Sequence, residues 1–173
     1  MIIFPGKVLI ELDVVFEIEG SIQVISKNKR KKNKGVVVKG GDKVKAGDKV
    51  LFFSQQGQML DGKVLINESD IVLTLKDNKV KQLFGTRILI EPEKEGEKLV
   101  GKLIKGEAQR KLLPFGPVLE VGDEVEKIKV GQRILFNVER AFDLTPYIKV
   151  INIPQYKDKI IYIVREADVM AEI

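Results

Sequence analysis

Val44-Lys45-Ala46-Gly47-Asp48-Lys49-Val50-Leu51-Phe52 decides how this chain is read. It returns, altered, as Ile128-Lys129-Val130-Gly131-Gln132-Arg133-Ile134-Leu135-Phe136. Each copy runs from a basic residue through a glycine turn and a polar pair into an apolar strand. The flanks repeat too. Lys7-Val8-Leu9-Ile10-Glu11 precedes the first copy, and Arg87-Ile88-Leu89-Ile90-Glu91 the second. Gly35-Val36-Val37-Val38 with Gly41-Asp42 is echoed by Gly116-Pro117-Val118-Leu119 with Gly122-Asp123. Glu68-Ser69-Asp70-Ile71-Val72 is echoed by Glu166-Ala167-Asp168-Val169-Met170. Landmarks in one order, at a spacing far too long for a solenoid, predict two copies of one small domain. The expected division is residues 1–79 and 80–173, with Lys76-Asp77-Asn78-Lys79 as a short linker and an insertion in the second copy near 140–159.

Composition narrows the chemistry. Cysteine and histidine are both absent from the 173 residues. No disulfide can staple the domains, and zinc or copper sites of the usual kind lack their ligands. A catalytic imidazole and a thiol nucleophile are missing as well, so the chain is not expected to be an enzyme or to carry a cofactor or metal. No apolar run approaches the ~18 residues of a membrane helix. Met1-Ile2-Ile3-Phe4-Pro5 has neither the basic region nor the apolar core of a secretion signal. A cytoplasmic protein is expected. The net charge of +5 is concentrated in Lys27-Asn28-Lys29-Arg30-Lys31-Lys32-Asn33-Lys34. That run has no interleaved aromatic to stack on bases and reads first as a solvated loop, with nucleic-acid binding as the alternative.

Along the chain, strand signals are short and turns close together. Val8, Ile10 and Leu12 lie in one strand. Val36-Val37-Val38, Val50-Leu51-Phe52-Phe53, Lys63-Val64-Leu65-Ile66 and Ile71-Val72-Leu73-Thr74-Leu75 supply others. With no sustained helical period, the pattern predicts an all-β barrel in each copy. One segment per copy does not fit a core strand. In the first, Gly20-Ser21 precedes a small apolar patch, Ile22-Gln23-Val24-Ile25, and then the lysine run. In the second, Leu99-Val100-Gly101-Lys102-Leu103-Ile104-Lys105-Gly106 has the same character. A small apolar patch in a polar segment either pairs into the domain or waits for a partner to supply the missing apolar surface.

These features resemble the GroES-type co-chaperonins, here as two domains in tandem. The resemblance covers nearly the whole chain apart from 140–159. It rests on Pro5-Gly6-Lys7-Val8-Leu9-Ile10, Gly20-Ser21-Ile22-Gln23-Val24, Val44 to Phe52 and Val64-Leu65-Ile66-Asn67-Glu68-Ser69-Asp70-Ile71. The second copy matches through Arg87-Ile88-Leu89-Ile90, Gly131 to Phe136 and Glu166-Ala167-Asp168-Val169. The resemblance implies an all-β fold of two tandem GroES-like, partly open β-barrels. It implies a homo-oligomeric ring that caps a GroEL-type chaperonin, which binds the ATP and encloses unfolded protein substrates. It also implies a mobile loop between the first two strands carrying a hydrophobic tripeptide. Ile22, Gln23 and Val24 match that tripeptide, with Ile25 able to shift it by one, and Lys102, Leu103 and Ile104 match it in the second copy. Gln23 and Lys102 are polar where the family has an aliphatic residue. Gly41-Asp42-Lys43-Val44 and Gly122 to Lys127 leave little room for the family's roof hairpin, so an open-topped dome is expected. The other reading is a structural or interaction protein that reuses the barrel, since fold does not fix function.

Overall fold

The computed structural model describes the chain except residues 1, 20–21, 54–56, 96–98, 101–102, 105–111 and 152; residues 14–19, 22–32, 99–100, 103–104 and 149–151 are described by backbone alone. The chain divides into two all-β units, Met1–Phe84 and Gly85–Ile173.

The first unit is one antiparallel sheet. In chain order its strands are β1 (Lys7–Glu19), β2 (Ile22–Lys39), β3 (Lys49–Phe52), β4 (Gln58–Leu60), β5 (Lys63–Asn67), β6 (Ile71–Lys76) and β7 (Lys79–Leu83). They lie in the order β4-β5-β1-β2-β3-β6-β7. The second unit contains β8 (Arg87–Ile90), a two-stranded hairpin of β9 (Leu99–Val100) and β10 (Leu103–Ile104), then β11 (Phe115–Val121), β12 (Arg133–Phe136), β13 (Phe142–Asp143), β14 (Tyr162–Arg165) and β15 (Val169–Glu172). Its main sheet has the order β13-β14-β8-β11-β12-β15. Reading strand for strand, β4-β5-β1-β2-β3-β6 and β13-β14-β8-β11-β12-β15 are the same sheet.

The register agrees as well. Gly35 pairs with Val50, and Gly116 with Ile134. Phe52 pairs with Ile71, and Phe136 with Val169. The opening stretch supplies the turn that sets this register. Gly47 has φ +93° and Gly131 φ +89°, a left-handed conformation that glycine enters without strain. Their amides donate to the Val37 and Val118 carbonyls at 2.8 and 2.9 Å. The strand after each turn then enters the core. In the first unit Val50 and Phe52 pack with Val8, Ile10, Val37 and Ile66. In the second, Ile134 and Phe136 pack with Ile88, Ile90, Val118 and Val164.

Residues 76–79 do not link the units. Asp77 and Asn78 both have positive φ (53° and 58°), the signature of a tight two-residue hairpin turn. They fold β7 back onto β6, with Leu73 opposite Leu83. The first unit therefore runs on to Phe84, whose ring joins its core.

The insertion lies between β13 and β14. The matching connection in the first unit, between β4 and β5, is only Asp61-Gly62, both at positive φ. In the second unit it holds helix α1 (Thr145–Ile151) and a 3-10 turn at Pro154–Tyr156. The extra length of the second copy thus forms a helical lobe. The Asp143 carboxylate accepts the Thr145 N–H at 2.9 Å where the helix begins. Leu144, Ile148, Ile153, Tyr156 and Ile161 are buried, giving the lobe apolar packing of its own. No described helix is long and apolar enough to cross a membrane.

Candidate functional site

In each unit the chain leaves the core between the core portions of the repeat's first two strands and then returns. In the first unit β1 and β2 leave the core after Leu12, which pairs with Gly35. Glycine is required there because the backbones come close. A Cβ on Gly35 would stand 2.2 Å from the Glu11 carbonyl oxygen, and one on Gly116 2.1 Å from that of Glu91. Beyond this crossing β1 and β2 continue as a hairpin arm.

The arm is irregular on one side. From Leu12↔Gly35 to Val14↔Arg30, two steps along β1 match five along β2, and the same happens between Val14↔Arg30 and Phe16↔Ile25. Both surpluses fall within residues 25–35, so the basic run is carried on bulged strand. Nearer the tip the register is regular, with Phe16↔Ile25, Glu17↔Val24, Ile18↔Gln23 and Glu19↔Ile22. The backbone of Ile22, Gln23, Val24 and Ile25 is therefore paired strand. Their side chains lie outside the described set.

The second arm has the same plan in fewer pieces. Its base is the Lys94↔Leu112 bridge, with the Leu113 N–H donating to the Glu93 carbonyl at 2.8 Å. Its outer part is the β9–β10 hairpin, with Leu103↔Val100 and Ile104↔Leu99. Two residues separate Val100 from Leu103, as two separate Glu19 from Ile22. By this pairing Leu103 stands where Ile22 stands, one position later than the sequence alignment of the two patches. Lys102 lies outside the described residues, as do the side chains of Leu103 and Ile104.

Each arm is clamped at its root by an ion pair that the sequence reading did not single out. Asp13 and Glu93 occupy the same place, two residues beyond Glu11 and Glu91. Asp13 meets the Lys34 ammonium at 3.5 Å. Glu93 receives two hydrogen bonds from the Arg133 guanidinium, at 2.6 and 2.7 Å. That guanidinium also lies 4.4 Å from the centre of the Phe115 ring. The planar fork of arginine suits both contacts. Arg133 holds the Glu93 carboxyl below its ordinary value of 4.5, and burial opposes the shift only in part.

A second repeated device fixes the loop between β2 and β3 and its counterpart. The Glu68 carboxylate accepts the backbone N–H groups of Asp42, Lys43 and Val44 at 3.1, 2.6 and 3.1 Å. Glu166 accepts those of Glu126 and Lys127 in the same way, at 3.2 and 2.6 Å. Three converging amides satisfied by one carboxylate make a compact loop in place of a projecting hairpin.

Among the described residues no set of three or more acidic side chains gathers as metal ligands would. A cleft of about 270 Å³ beside the helical lobe is lined by Thr145, Ile148, Ile153, Tyr156 and Lys157 to Lys159. No protein-family model and no curated protein matches the chain.

Proposed function

We propose that this chain is a co-chaperonin, a lid for a GroEL-type chaperonin built from two fused GroES-like barrels. The supporting observation is the repeated arm. Both units carry a paired hairpin between equivalent strands, and in both the second strand of that hairpin begins with two apolar residues close together in sequence: Ile22 with Val24, and Leu103 with Ile104. Such residues would dock in an apolar groove of the chaperonin. Each contact is weak, because two apolar residues bury little surface. Several arms on one assembly convert weak contacts into tight capping through effective concentration. Release then needs only a small change in each groove. ATP would be hydrolysed by the chaperonin, with this chain neither an enzyme nor a cofactor carrier. Two-domain chains contribute an even number of units, so a closed ring made only of them holds six or eight rather than seven.

The experiment is co-sedimentation with a GroEL-type chaperonin, with and without nucleotide. Nucleotide-dependent capture is expected. It should vanish when Ile22, Val24, Leu103 and Ile104 are replaced together by Ser, while the circular dichroism spectrum stays unchanged. Undiminished capture by that variant would remove the arms from the mechanism. Failure to bind chaperonin, together with retention on DNA or RNA that falls steeply with salt, would favour the basic run at 27–34 instead.

A further inference from the structure

One charged feature takes no part in the apolar docking of the arms. Lys27, Lys29, Arg30, Lys31, Lys32 and Lys34 put six cations into eight residues, and without them the net charge of +5 would be −1. All six lie on β2, between the apolar patch at Ile22 to Ile25 and the core that resumes at Gly35.

The register brings few carboxylates to them. The stretch of β1 that faces residues 25–35 is Leu12-Asp13-Val14-Val15-Phe16. Its one acid is Asp13, which Lys34 already meets at 3.5 Å. Glu17 and Glu19 come further out, opposite Val24 and Ile22. On its other side β2 pairs with β3 only from Lys34 to Val36, so no described strand lies along residues 27–32 there. The first arm is therefore polarised, with glutamates beside the patch and cations behind it. The second arm is not. Its outgoing stretch alternates Glu93, Glu95 and Glu97 with Lys94 and Lys98, and its returning stretch, 105–111, sets Glu107 among three cations.

We propose that the partner's apolar groove is bordered, on the side facing the lid, by an acidic surface, and that the cations of the first arm steer capping toward it. The inference rests on the co-chaperonin reading and names the chemistry of that partner. Lys27 comes two residues after Ile25 and Lys32 seven. At about 3.3 Å per residue the cations therefore lie no more than about 7–23 Å from the patch. The nearest falls within the Debye length of about 8 Å at physiological salt, so attraction acts before the apolar contact forms. Complementary charge of this kind raises association rates more than it tightens the final complex. Glu17 and Glu19 give the arm a direction, since an arm lying the wrong way round brings them against the acidic border. Five of the six cations are lysines, compact hydrated charges, and the arginine fork that suits phosphate occurs once. With no aromatic in the run to stack on bases, an acidic protein surface fits it better than nucleic acid.

Stopped-flow association of the full chain with a GroEL-type chaperonin in ATP, from about 25 to 300 mM salt, tests this. The wild-type rate should fall about tenfold or more across that range. A variant carrying Lys27→Gln, Lys29→Gln, Arg30→Gln, Lys31→Gln and Lys32→Gln keeps the Lys34 clamp. It should associate about tenfold more slowly at low salt, respond little to salt and dissociate at the wild-type rate. Lys27→Arg, Lys29→Arg, Lys31→Arg and Lys32→Arg together keep the charge and should keep the rate. Equal salt dependence in wild type and Gln variant, or slow association of the Arg variant, overturns the proposal and leaves the co-chaperonin reading standing. So does a Gln variant that caps at the wild-type rate but aggregates, which would make the cations guards of an open strand edge. Duplex DNA bound by the wild type more tightly than about 1 µM at about 0.15 M salt assigns the run to nucleic acid and overturns it too. A wild type that the chaperonin does not capture in nucleotide removes both readings.

Discussion

Glu68 and Glu166 hold the same loop in the two units: one accepts the amide of Lys43 at 2.6 Å, the other that of Lys127 at 2.6 Å. The Glu68 contact leaves no room for a side chain at Gly41, where a Cβ would stand 2.6 Å from the carboxylate. The glutamate also ties the loop to the root of the repeat. The Glu68 N–H donates to Gly6 and the Glu166 N–H to Thr86, both at 2.9 Å. One residue therefore joins three separate stretches of chain, which gives its recurrence a physical reason.

The amides of Lys127, Glu126 and Ile128 hold the Glu166 carboxyl below its ordinary value of 4.5, the Lys127 bond foremost. A carboxyl lowered in the folded state adds stability that is complete above its unfolded value and is lost as pH falls through the folded one. Acid should therefore loosen the second unit below about pH 4.5. Glu166→Gln should flatten that part of the curve while lowering stability at pH 7. Thermal melts from pH 2 to 7 for both proteins measure it, and parallel curves would show that the carboxylate makes no such contribution.

Phe52 and Phe136 are equivalent buried rings, one in each core. Truncating either to Ala should destabilise its own unit by about 3–5 kcal/mol, from lost transfer energy and the cavity left behind. Urea denaturation followed by hydrogen exchange assigns the loss to one unit, and a loss below 1 kcal/mol would contradict the burial.

At Gly116 a Cβ would meet backbone, not a side chain that can turn away. Gly116→Ala should cost about 1–3 kcal/mol, at the upper end because the β8 and β11 backbones must part. Gly35→Ala should behave alike. Both lie at arm roots, so the exchange of arm amides should quicken in each variant. Exchange no faster than wild type would separate the crossing from the arms.

Burial, reinforced by the nearby Glu120 carboxylate, pushes the Tyr156 phenol up to about 12. Burial also raises Tyr162, with Asp143 adding to it. A phenol raised in the folded state contributes stability that is complete below pH 10, its unfolded value, and is lost as pH rises toward 12. Spectrophotometric titration should show one of the three tyrosines ionising last, near pH 12, and Tyr156→Phe should delete that step. An unchanged final step in the variant would place the buried phenol elsewhere.

Much of this architecture could be read in the chain before any coordinates. The glycine turn at Gly47 and its echo at Gly131, the apolar strands behind them and the recurring Glu-x-Asp are local signals, and local chemistry is what a sequence displays. They led to two all-β units, and the sheets repeat strand for strand. The patches at Ile22 to Ile25 and at Leu103-Ile104 also stood out, because apolar residues in polar surroundings do so wherever they fall.

What tertiary structure decided was pairing. Lys76-Asp77-Asn78-Lys79 reads as linker because all four side chains are charged or polar, yet it turns the chain back into an edge strand that extends the sheet, and the Phe84 that follows that strand joins a core. Backbone hydrogen bonds carry no side-chain signature, so an edge strand of that composition cannot be told from a tether. The clamp between Glu93 and Arg133, and the reach of Glu68 to Lys43, join residues far apart in sequence. Composition and spacing supply the partners for such contacts. Only the folded sheet brings them within a hydrogen bond of one another.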